Sequence, residues 1–79
     1  MPEKLLERIE VNPAVMLGKP VIKGTRIPVE LIVRKLSEDA TEKDLLDAYP
    51  RLTKLDIQAA LAYAASTLAH ETIILQTAA

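Results

Sequence analysis

The chain has no cysteine, tryptophan or phenylalanine, and its 79 residues include only two glycines. Without thiols there is no disulfide to staple a small domain and no thiolate set for a structural zinc. Without the two large aromatics, the core has to be aliphatic. Long apolar runs are missing as well: none approaches the roughly 18 residues that a bilayer crossing requires. The opening Met1-Pro2-Glu3-Lys4-Leu5-Leu6-Glu7-Arg8 lacks the apolar stretch of a secretory signal. A soluble cytoplasmic protein is the expectation. No sign of charge dominates either, since ten Lys and Arg stand against eleven Asp and Glu.

Apolar residues nevertheless make up 49% of the chain. One domain of this size is marginal alone and has a small interior. The apolar excess therefore points to a homodimer or an obligate partner. Both glycines fall in Gly18-Lys19-Pro20-Val21-Ile22-Lys23-Gly24-Thr25-Arg26-Ile27-Pro28. Gly reaches φ > 0 at little cost and Pro fixes φ near −65°, so this segment reads as turn, short strand, turn, short strand. Val21-Ile22 and Ile27 beside Pro28 are its inward pairs. Upstream, Arg8-Ile9-Glu10-Val11-Asn12-Pro13 alternates polar and apolar, then stops at Asn-Pro, which is a strand with a turn signal.

Helices account for the rest. Pro28 stands where a helix opens, and Val29, Ile32, Val33 and Leu36 follow at helical spacing, predicting a helix over about 29–38. Thr41-Glu42-Lys43-Asp44 and Thr53-Lys54-Leu55-Asp56 each put a Thr three residues before a carboxylate, the sign of a capped helix start. These predict helices over about 41–49, ended by Pro50, and about 53–70. The last would present Ile57, Leu61, Ala64 and Leu68 as one stripe, with alanines around it thin enough for another helix to approach closely. The segment 71–79 reads equally as helix or strand. The class is mainly α with a short N-terminal β element. Three helices with a short turn before the last form the skeleton of a helix-turn-helix. The last helix offers few groove-reading side chains, only Lys54 and Gln58 beside Asp56, and the helix before it is acidic.

The stretch Gly18 to Val29, together with Tyr49-Pro50-Arg51-Leu52-Thr53 and Asp56-Ile57-Gln58-Ala59-Ala60-Leu61-Ala62-Tyr63-Ala64, closely resembles the prokaryotic family known as domain of unknown function 433. The likeness runs from about Ile9 to Ala65. It implies a trihelical, homeodomain-like fold with a short β N-terminus, a dimer, and an antitoxin-like role beside a PIN-like nuclease toxin. It implies no catalytic residues. Asp39 stands where the family often has Gly, in the turn between its first two helices, and Asp tolerates the left-handed region better than most residues. Leu55 replaces a typically acidic surface position.

Catalysis finds no support in the residues. His70 lacks a second ligand at metal spacing, Ser37 and Ser66 lack a base, and the phosphate-loop order of residues is absent. No catalytic, metal or cofactor-binding residue is expected. Two candidate surfaces are. Ile73, Ile74 and Leu75 are apolar enough to engage a protein partner, by an added strand or a helix laid in a groove, or to pack on the chain's own dimer. Lys19, Lys23, Arg26, Arg34 and Lys35, opposed between them only by Glu30, could meet DNA or could simply be a solvated face. The leading expectation is an antitoxin-like protein-binding module. The alternatives are a DNA-binding transcriptional regulator using Lys19–Lys35 and a purely structural dimerisation module.

Overall fold

The computed structural model describes residues 2–71. Its order is α1 (Pro2–Leu6), β1 (Ile9–Val11), a single 3-10 turn (Met16–Gly18), β2 (Pro20–Ile22), α2 (Val29–Ser37), α3 (Glu42–Ala48) and α4 (Lys54–Ala69). The architecture is mainly helical, four helices and a two-stranded antiparallel sheet.

The sheet pairs Ile9 with Ile22 and Val11 with Pro20. The expected second strand of the glycine segment is reduced to one bridge, Val21 to Pro28. Pro28 lacks an N–H, so it cannot extend a ladder. Gly18 and Gly24 stand at φ +84 and +81, the left-handed geometry that turns the chain on either side of β2. Met16 and Leu17 precede Gly18 in the same left-handed region, at φ 51 and 58. Nothing in the sequence marks that run, because neither residue favours it.

Local chemistry sets the helix ends. Thr41 accepts from the Asp44 N–H at 3.0 Å while Asp44 accepts from the Thr41 N–H at 2.9 Å. Thr53 and Asp56 repeat the reciprocal pair at 3.2 and 3.0 Å. α2 closes in a Schellman motif: Asp39 at φ 79 donates its N–H to Leu36, and Ala40 donates to Lys35. His70 caps α4, its Nδ1 lying 2.7 Å from the Ser66 carbonyl.

Ile22, Val29, Ile32, Leu45, Leu52, Ile57 and Ala60 form the core, with Ile9, Leu36, Tyr49 and Tyr63 against its edge. α4 packs on both α1 and α2. Its buried face is Asp56, Ile57, Ala59 and Ala60, which shares Ile57 alone with the stripe that apolar spacing predicts. Leu61 and Leu68 point outward, 44% and 65% exposed. The alanines let α4 sit close to its neighbours, and that contact selects a face of small residues. α1 is the other departure, since five residues are too few to show helical periodicity.

Candidate functional site

Within the basic segment, two cations face one acid. Glu30, on the first turn of α2, receives the Arg34 guanidinium at 2.5 Å and has the Lys19 ammonium at 3.5 Å. The Arg34 hydrogen bond, then the Lys19 charge, hold the Glu30 carboxyl below the usual range, and the same bond raises Arg34. Lys23, Arg26 and Lys35 have no acid within salt-bridge distance among the described residues. Two of the five cations named from the sequence are therefore paired with Glu30, and three are not.

Arg51 regroups them. It leaves the turn between α3 and α4 and donates from Nη2 to the Gly24 carbonyl at 2.9 Å, across 27 residues of sequence. Arg51, Gly24, Thr25 and Arg26 then line one hollow, with Glu10 on its wall. Lys23 stands beside them, at the start of the turn. Sequence reasoning left Arg51 among the acidic second half, and no local signal could have moved it. Gly24 is there for its backbone angle and not for crowding, as a Cβ would meet nothing within 4 Å.

A second surface lies between α2 and the C-terminal half of the longer helix α4. Its 16 residues rise about 24 Å, against about 14 Å for the nine residues of α2. On the α4 side the groove is lined by half-buried Tyr63 and Ala64 and by exposed Thr67 and Leu68. Val29 and Val33 of α2, with Pro20, form the opposite wall of an open groove of about 430 Å³. Glu30 and Arg34 stand on the edge of this apolar floor. An apolar centre with a charged rim is the anatomy of a protein-binding surface.

Ile73, Ile74 and Leu75 lie outside the described residues. Among the described residues, no cluster of three or more His, Cys, Asp or Glu could hold a metal ion. No described helix is long and apolar enough to cross a membrane.

Comparison with known proteins places this geometry in a lineage. An uncharacterised protein of Archaeoglobus fulgidus is 66% identical over 29 residues, which is 37% of this chain and 81% of that one. A DUF433 member protein from Anabaena variabilis, known from its crystal structure, superposes with a TM-score of 0.76 at 36% identity. The match covers 85% of this chain and spans 66% of the length of the Anabaena chain, just under two thirds. The family model described as "Protein of unknown function (DUF433)" matches residues 9–64, from β1 into α4, and the chain belongs to that family.

Proposed function

We propose that this chain is a protein-binding module of the antitoxin type, working as a homodimer and neutralising a PIN-like nuclease toxin. The observation that carries protein binding is the groove between α2 and the C-terminal half of α4. There Val33, Tyr63, Ala64 and Leu68 give an open groove at the edge of the core a largely apolar lining. The nature of the partner comes from the family resemblance. In this reading α2, α3 and α4 are a trihelical, homeodomain-like unit used as a scaffold, with the Pro50 turn joining its last two helices. The mutual packing of α2, α3 and α4 supports it.

The test is co-expression with the protein encoded next to this one, followed by tagged purification. A stoichiometric complex that relieves a growth defect caused by the neighbour alone is the expected result. Thr67→Lys, at an exposed groove-lining position, should weaken that complex by about 1–3 kcal/mol without changing the circular dichroism of the free protein. No complex and no relief of growth would overturn the reading.

A further inference from the structure

We propose that the turn Lys23–Arg26, together with Arg51, is a binding site for the phosphate groups of a nucleic-acid backbone. This inference stands apart from the toxin-binding reading, because the turn and the groove share no lining residue.

The turn presents donors, and two of its carbonyls, those of Ile22 and Gly24, are occupied. The Ile22 carbonyl takes both the N–H and the hydroxyl of Thr25, at 3.0 and 2.7 Å. The Thr25 hydroxyl in turn accepts from the Ile27 N–H at 3.0 Å. Arg51 covers the Gly24 carbonyl. The N–H groups of the exposed residues Gly24 and Arg26 have no acceptor among the described residues. Two backbone donors therefore stand where the Ile22 and Gly24 carbonyls are already taken, with Arg26 and Arg51 lining the hollow and Lys23 next to it in sequence. Arg51 uses one of its five N–H donors on Gly24, which fixes the guanidinium and leaves the others for a ligand.

Charge sets the ligand class. Arg26 and Arg51 line the hollow with Glu10 as its one carboxylate, and Lys23 adds a third positive charge from the same turn. The apolar lining, Val15 and Ile27, is half-buried, so the hollow presents no exposed apolar anchor, the element on which protein interfaces draw most of their energy. Binding built from cations and backbone N–H groups suits phosphate, and the spacing of donors over two loops suits a chain of phosphates. Lys19 and Arg34 stay outside the site because Glu30 holds them both.

Fluorescence anisotropy of a labelled mixed-sequence DNA duplex tests this on the full chain. With three phosphate contacts, affinity should fall about 40-fold between about 50 and about 200 mM salt. Lys23→Ala/Arg26→Ala should weaken binding more than about tenfold at the lower salt and flatten the salt slope by about 2. Both side chains are exposed, and an unchanged melting temperature will show that the fold is kept. Glu10→Gln should tighten binding about threefold by removing the opposing charge. Lys19→Ala should change it less than about twofold, its charge being already countered by Glu30. Absence of binding at low salt, or equal affinity of the double variant, overturns the proposal. So does displacement of the duplex by inorganic phosphate at constant ionic strength, which would mark a free-anion site. Stronger displacement by polyglutamate than by unlabelled duplex would mark a site for acidic protein, and overturns it too.

Discussion

Asp56 is the one charged side chain buried among the described residues, at 6% exposure, and it serves two masters. One carboxylate oxygen closes the capping box of α4 at Thr53, and the other takes the Arg8 guanidinium at 3.0 Å. Arg8 lies just ahead of β1, so this carboxylate ties the start of α4 to the N-terminal part of the fold. Its side chain is 39% exposed, and screening by water reduces what the pair contributes. Asp56→Ala should cost about 2 kcal/mol in chemical denaturation, about 1 for the cap and the rest for the stranded partners. Thr53→Ala, which removes only the hydroxyl, should cost about 1. Equal losses would mean that the Arg8 link contributes nothing. The capping role of Asp56 was legible in sequence, because cap and carboxylate are three residues apart. Its burial and its ion pair were not, because Arg8 is 48 residues away.

Among the elements, those with chemistry in their own ends were readable and those defined by a neighbour were not. Thr41, Asp44, Pro50 and Thr53 mark the ends of α3 and α4 by contacts within four residues. Asp39 ends α2 because a short polar side chain accepts φ 79. By contrast, nothing local says which face of an alanine-rich helix will be buried, and so Leu61 and Leu68 read as inward. The same division separates the two candidate surfaces. Lys23 and Arg26 were visible as cations of one loop, whereas Arg51 joined them only through tertiary folding.

The cap of α3 also makes a pH-dependent contribution. The Asp44 carboxyl is held below its ordinary value, first by the Thr41 backbone N–H and then by the Thr41 hydroxyl. A folded-state value lower than the unfolded one means that the unfolded chain binds the proton more readily. The stabilisation is then complete above the unfolded value of about 3.9 and is lost as pH falls through the lower folded value. Glu30 shifts in the same direction. Stability should therefore fall on acidification, and Asp44→Asn should show a shallower fall than wild type below about pH 4. Denaturant midpoints measured down that limb decide it. Parallel curves would show that the cap does not distinguish the two protonation states.

For the molecule as a whole, apolar supply exceeds what the interior takes. The core closes around short side chains, and Leu55, Leu61 and Leu68 of α4 remain 47%, 44% and 65% exposed. Leu61 and Leu68 are one heptad apart, on a helix whose alanines allow a second helix to come close. The proposed homodimer would cover them, and this has a thermodynamic consequence. If only the dimer buries that face, folding is linked to association, and the melting temperature depends on protein concentration. A tenfold rise in concentration is worth about 1.4 kcal/mol per dimer, or roughly 4 °C for two chains of this length. Leu61→Lys/Leu68→Lys should abolish that dependence and sediment as a monomer while keeping its helical circular dichroism. A wild-type melting temperature independent of concentration would leave the face to a different protein. The neighbour-encoded partner would then be expected to restore the missing stability when added in excess.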